Sequence, residues 1–195
     1  MIDVMDYGGG NTGSLMRCLA RLGADHRLVE FGETLSASPN PVVLPGVGSF
    51  GSVMAALEAR GLDRALVEAV EAGRPFLGIC VGLQVLFEGS EEAPGRPGLG
   101  ILPGTVVRYT EGKVPQIGWN RVAPRQEGGW KAGYAYFVNS YYAAPARPGD
   151  VLYESDYYGA FAAAVRRDNV TACQFHPEKS GAFGHDLVRR WTHAL

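Results

Sequence analysis

A sequence of 195 residues, 46% hydrophobic and 19% charged, is long enough to bury one sizeable core and lies near the usual size of one domain. Its 18 Lys and Arg against 20 Asp and Glu leave a net charge of -2, and no run of basic residues could follow a phosphate backbone, which argues against nucleic acid as a partner. No stretch of about 18 apolar residues occurs, and the chain opens Met1-Ile2-Asp3-Val4 instead of with a basic leader, so a soluble, cytoplasmic protein with no membrane association is expected.

In chain order, Ile2 to Met5 reads as a short buried strand. After Tyr7-Gly8-Gly9-Gly10-Asn11 comes a helix with Leu15, Met16, Leu19 and Leu22 on one face. His26 to Glu30 and Pro41 to Leu44 read as further strands, the latter ending in Pro45-Gly46-Val47-Gly48-Ser49-Phe50-Gly51. Two helices follow, one carrying Met54 and Leu57 and closed by Gly61, the other striped by Leu62, Leu66, Ala69 and Val70 and closed by Gly73. Pro75 to Ile79 is an apolar strand running into Cys80, and Leu83, Leu86 and Phe87 predict a helix beyond it that stops at Gly89.

From Glu91 to Gly104 the pattern breaks into Pro and Gly. Short β-like runs then appear at Thr105 to Tyr109, Tyr134 to Val138, Val151 to Ser155, Phe161 to Val165 and Val170 to Gln174. A last helix starts near Ser180, with Phe183, Leu187, Val188 and Trp191 on one face. Alternating strands and helices predict a doubly wound α/β domain over 1–195, its mostly parallel sheet flanked by helices and its later strands an antiparallel extension.

Three widely spaced cysteines, Cys18, Cys80 and Cys173, suit neither a disulfide framework nor a metal site. Phe76-Leu77-Gly78-Ile79-Cys80-Val81-Gly82-Leu83-Gln84 has the form of a nucleophile elbow, a strand turning sharply into a helix with a reactive residue at the corner. Gly78 and Gly82 leave room for the tight backbone; the helix N-terminus favours a thiolate on Cys80 and aims the Val81 N–H at a developing oxyanion. A buried core cysteine at a strand end is the plain alternative.

Phe175-His176-Pro177-Glu178 follows the strand Val170 to Gln174, at the sheet edge where active sites of open α/β folds gather. His176 suits a general base for Cys80 and then an acid for the leaving nitrogen, with Glu178 orienting the imidazole and Pro177 stiffening the turn. A loop with two solvated polar residues is the alternative, weakened by the elbow cysteine on the same edge. Pro45-Gly46-Val47-Gly48 allows close backbone approach and offers a second oxyanion donor. It lacks the spacing of a nucleotide-binding glycine loop.

Gly78 to Gln84 together with His176-Pro177-Glu178 resembles the triad-type glutamine amidotransferases over essentially the whole chain. Asp6-Tyr7-Gly8-Gly9-Gly10-Asn11, Pro45 to Phe50, Gly118-Trp119-Asn120 and His176 to Ser180 narrow the resemblance to the glutaminase subunits of imidazole glycerol phosphate synthase, of histidine biosynthesis.

The resemblance implies that Cys80, His176 and Glu178 form a catalytic triad that hydrolyses L-glutamine through a thioester, with no cofactor. It implies an oxyanion hole from Val81, Val47 and Gly48, the Val47 peptide completing it only in the active state. Substrate contacts would come from Gln84, Glu92, Ser140 and Tyr141. The partner implied is a TIM-barrel cyclase, forming a heterodimer through Asn11, Trp119 and Lys179. It would take up ammonia through its barrel and form imidazole glycerol phosphate and an aminoimidazole carboxamide ribonucleotide. A core position for Trp119 and a helix-capping role for Asn11 stay open.

Three other readings compete. A glutaminase subunit of another synthase, such as that making pyridoxal phosphate, usually carries a Gly-Gly-Glu-Ser segment that is absent. A freestanding cysteine hydrolase need not follow its His with Pro-Glu. A scaffold that has lost catalysis has no use for an intact Cys80, His176 and Glu178.

Overall fold

The computed structural model describes residues 1–9 and 12–194. Its first half alternates as expected: β1 (Ile2–Met5), α1 (Thr12–Arg21), β2 (His26–Val29), α2 (Gly32–Ser36), β3 (Val42–Leu44), α3 (Phe50–Ala59), α4 (Leu62–Glu71), β4 (Phe76–Ile79) and α5 (Val81–Gln84). The second half is mostly strand: β5 (Gly104–Arg108), β6 (Gln116–Pro124), β7 (Gly133–Asn139), β8 (Tyr141–Pro145), β9 (Val151–Asp156), β10 (Ala160–Arg167) and β11 (Val170–Cys173), closed by α6 (Gly181–His193).

One nine-stranded sheet runs in the order β2-β1-β3-β4-β11-β10-β9-β6-β7. The segment from β2 to β11 is parallel, and from β11 to β7 each neighbour is antiparallel. Strands β1, β3, β4 and β11 are buried throughout, as strands covered on both faces must be. The α/β architecture with antiparallel additions is thus as the sequence predicts, with several departures in detail.

Val170 to Cys173 does not belong to the antiparallel extension alone: it inserts parallel beside β4, pairing Cys173 with Ile79, and turns its other edge to β10. Its four buried residues suit that central place. Strands β5 and β8 pair with each other in a separate two-stranded sheet. Neither β6 nor β8 was legible, nor was the single-turn helix α2.

The helix after Cys80 ends at Gln84, not at Gly89. The carbonyls of Val85, Leu86, Phe87 and Glu88 accept instead from Leu99, Leu102, Gly100 and Gly98, so the Pro- and Gly-rich segment folds back over this stretch and competes with the helix. Leu86 and Phe87 are nevertheless fully buried, which explains their misleading spacing. On α1, Cys18 joins Leu15 and Leu19 on the buried face, where Met16 was expected.

Candidate active site

The elbow is built by close backbone contact. Cys80 adopts φ 54°, ψ -110°, a conformation that costs a side-chain-bearing residue roughly 1–3 kcal/mol and persists only where the surroundings impose it. The imposing groups are glycines: a Cβ at Gly82 would strike the Leu44 carbonyl, one at Gly46 the Gly82 nitrogen, and one at Gly78 would lie 2.6 Å from the Gly82 oxygen. Any side chain there would push β3, β4 and α5 apart. The Leu83 and Gln84 N–H groups donate to the Cys80 carbonyl at 3.0 and 3.3 Å, so α5 begins directly at the elbow residue.

Because β4 and β11 are in parallel register to Ile79 and Cys173, the next residues, Cys80 and Gln174, emerge side by side at the same sheet edge. The Cys80 N–H donates to the Cys173 carbonyl at 2.8 Å. His176 follows on a tight turn, Pro177–Lys179, with its N–H donating to the Tyr136 carbonyl at 3.0 Å and its carbonyl accepting from the Ser180 hydroxyl at 2.7 Å. Both main-chain groups are fixed, so the imidazole is aimed.

His176 Nδ1 lies 2.9 Å from Glu178 Oε1, with both side chains almost wholly buried. Burial opposes the imidazolium, but the hydrogen-bonding neighbours Cys80 and Glu178, with their negative charge, outweigh it and raise the His176 pKa to about 9. Of the Glu178 carboxylate, Oε2 is buried without a hydrogen-bond partner among the described residues.

A cleft of about 320 Å³ opens over the sulfur, lined among others by Val47, Gly48, Cys80, Val81, Gln84, Glu92, Ser140, Tyr141 and His176. The fold therefore gathers the expected oxyanion and substrate residues into one space, with Glu178 behind the imidazole. Several are already engaged. The Val47 N–H donates to the Tyr7 hydroxyl, Glu92 Oε2 accepts from the Phe50 N–H at the start of α3 at 2.6 Å, and Gln84 Nε2 donates to the Tyr141 carbonyl at 2.9 Å.

Trp119 and Lys179 do not line this cleft. Trp119 is no core residue: on β6 it is 58% exposed, in a stripe with Ile117, Tyr134 and Val138 across the β6–β7 pair. Lys179 is exposed on the turn after His176, and Asn11 lies outside the described residues. Sequence reasoning missed Gln174, Tyr7 and Ser180. The signal available for Gln174 was a polar residue ending an apolar strand next to the His176 turn.

All three cysteines are free and buried. Among the described residues no group of three or more His, Cys, Asp or Glu could hold a metal ion, and no helix is long and apolar enough to cross a membrane.

The family model for glutamine amidotransferase class-I matches residues 3–194. Imidazole glycerol phosphate synthase subunit HisH of Thermococcus kodakarensis is 47% identical, over 98% of this chain and 98% of that protein. The HisH subunit of Methanothermobacter thermautotrophicus is 44% identical, over 100% and 99%. This chain belongs to the class-I glutamine amidotransferases and, among them, to the HisH family.

Solved amidotransferase structures share the fold. One described as the crystal structure of glutamine amidotransferase superposes with a TM-score of 0.80 at 22% identity, covering 98% of this chain and 97% of that one. A structure of PurLQS from Thermotoga maritima gives a TM-score of 0.77 at 17% identity, covering 99% and 97%. These two structures share the overall fold at 22% and 17% identity, whereas the two HisH relatives match this chain at 44% and 47% identity over at least 98% of its length.

Proposed function

We propose that this chain is one glutaminase domain that hydrolyses glutamine to glutamate and ammonia and delivers the ammonia to a TIM-barrel cyclase, in the cytoplasm, for imidazole glycerol phosphate synthesis. The observation that carries this reading is the strained Cys80 beside the hydrogen-bonded His176–Glu178 pair at the ends of neighbouring parallel strands. Family membership supports the substrate, and the relatives' name, a synthase subunit, supports a partner.

In the reaction, His176 takes the Cys80 proton and the sulfur attacks the carboxamide carbon of glutamine. The carbonyl π electrons move to oxygen, and the Val81 N–H stabilises that charge. An imidazolium whose pKa stands at about 9 holds its proton at neutral pH and passes it to the nitrogen as the C–N bond breaks. Ammonia departs and a thioester remains. Neutral His176 then deprotonates a water that attacks the thioester carbon; glutamate leaves and the proton returns to sulfur.

Gln84, Glu92, Ser140 and Tyr141 would hold the amino acid end of the substrate. Both hydrogen bonds of Gln84 use its Nε2, leaving its carbonyl oxygen as the acceptor it offers. The exposed stripe around Trp119, with Lys179 and Asn11, would face the cyclase.

The test is glutamate release from glutamine by the purified chain, alone and with an imidazole glycerol phosphate cyclase plus its nucleotide ligand, beside Cys80→Ala. Stimulation by the cyclase that vanishes in the variant is expected. Activity indifferent to the cyclase would redirect the search to another synthase, and no activity in any mixture would overturn the reading.

A further inference from the structure

We propose that Gln174 is a thiolate-stabilising donor to Cys80, oriented by a chain of buried side chains that leaves its amide only one way to point. The inference deepens the reading of Cys80 as the nucleophile and rests on it.

The orientation follows from one backbone carbonyl. The Tyr141 oxygen, 2.9 Å from the Gln84 side chain, can only accept, so the Gln84 atom facing it is Nε2. That same nitrogen lies 3.1 Å from the Gln174 amide and must meet its oxygen. The remaining end of Gln174, Nε2, is then turned to Cys80 Sγ, 3.8 Å away, within hydrogen-bond reach of the large sulfur atom. The reverse assignment would set two donors against each other. Asn139 reinforces the arrangement, sharing the Tyr141 carbonyl at 3.0 Å and contacting the Tyr109 hydroxyl at 3.2 Å. Tyr109 in turn donates to Gln116 Oε1 at 3.0 Å. Gln174 is fully buried, so water does not compete for its N–H.

A buried donor aimed at sulfur favours the thiolate over the thiol, because the charged form accepts the stronger hydrogen bond. The other ionisable groups around Cys80 are His176 and Glu178 from the turn after β11, Cys173 on β11, Tyr7 after β1, and Glu92 and Tyr141 in the cleft wall. They are unchanged in a Gln174 variant, so a difference between variant and wild type reports Gln174.

The experiment titrates Cys80 in the full-length chain by ultraviolet thiolate absorbance, with Cys80→Ala as the blank that removes Cys18 and Cys173 from the signal. Gln174→Met, similar in length but without a donor, should raise the midpoint by about one pH unit and slow alkylation below the midpoint roughly tenfold. Gln174→Glu should raise it further. If Gln174→Met does not fold, Gln84→Met tests the same point by freeing the Gln174 amide to turn, with the same upward direction expected. A folded variant that loses thermal stability with its midpoint unmoved would overturn the inference and leave Gln174 a packing residue. Wild-type turnover with the cyclase is measured in parallel. A shifted midpoint without turnover would retain the donor and sink the proposed function, whereas turnover with an unshifted midpoint would do the reverse.

Discussion

The Val47 N–H donates to the Tyr7 hydroxyl across 3.2 Å, and that hydroxyl lies 3.5 Å from the Val47 carbonyl. The N–H that the sequence resemblance assigns as a second oxyanion donor is thus held by a buried phenol from the loop after β1. Tyr7→Phe removes the competing acceptor and keeps the ring. A neutral hydrogen bond is worth about 1 kcal/mol, so partner-independent glutamine hydrolysis should rise about fivefold. Steady-state glutamate release without the cyclase measures this, and an unchanged or lower rate would refute it.

The pH behaviour of His176 has a definite sign. Its folded pKa is raised from 6.5 to about 9, so the stability it contributes is complete below pH 6.5 and is lost as pH rises through about 9. The imidazolium is also the proposed acid for the departing nitrogen, so turnover should fall along a basic limb near the same pH. Glu178→Gln removes a charge that supports the cation and should move that limb to lower pH. A pH profile of kcat/KM for both proteins decides this.

Asp3 offers the opposite case, away from the site. Its fully buried carboxylate meets Arg27 Nε at 2.7 Å, Arg74 Nη2 at 3.2 Å and Asn40 Nδ2 at 3.0 Å. Burial alone would raise its pKa, but hydrogen bonds from Arg27, Ser38 and Asn40, with the Arg27 charge, hold it below the usual 3.8. Its contribution is present above that value and fades as pH falls through the lower folded value. Asp3→Ala strands the largely buried Arg74 guanidinium and should cost about 3 kcal/mol in denaturant unfolding. Turnover below the melting range should be retained.

Trp119 is the residue to change at the proposed cyclase face. Its ring stands edge-on to Tyr136, centroids 6.1 Å apart, in the exposed stripe of β6 and β7. Trp119→Ala should leave thermal stability within about 0.5 kcal/mol of wild type yet weaken cyclase binding by about 2 kcal/mol. Calorimetric titration with the cyclase measures the second effect; unaltered affinity would move the interface elsewhere.

How much of this was legible in the sequence depended on whether the causes were local. Strands such as Phe76–Ile79 and the Cys80 elbow announce themselves because a buried parallel strand must be apolar and a sharp turn needs glycine. The length of the helix after Cys80 was not legible, since residues 98–102 set it by capturing the carbonyls that would have continued it. β6 was hidden because its middle, residues 117–121, has no buried apolar residue and places Gly118 and Asn120 between exposed side chains. At the site, motif and spacing single out Cys80, His176 and Glu178, and the fold brings all three to one sheet edge. The tie between Gln84 and Gln174, separated by 90 residues, exists only once two strands lie in register.

The central place of β11 also governs when the surroundings of Cys80, the proposed nucleophile, are complete. A chain emerging from the ribosome completes β4 long before it makes β11, and Cys80 waits for a partner 94 residues later in Gln174. Until that last strand slots in between β4 and β10, the nascent polypeptide carries Cys80 without Gln174 and without the proposed base, His176. On the proposed mechanism, hydrolytic competence therefore waits for β11 and the turn after it, and a product terminated before them would squander no glutamine.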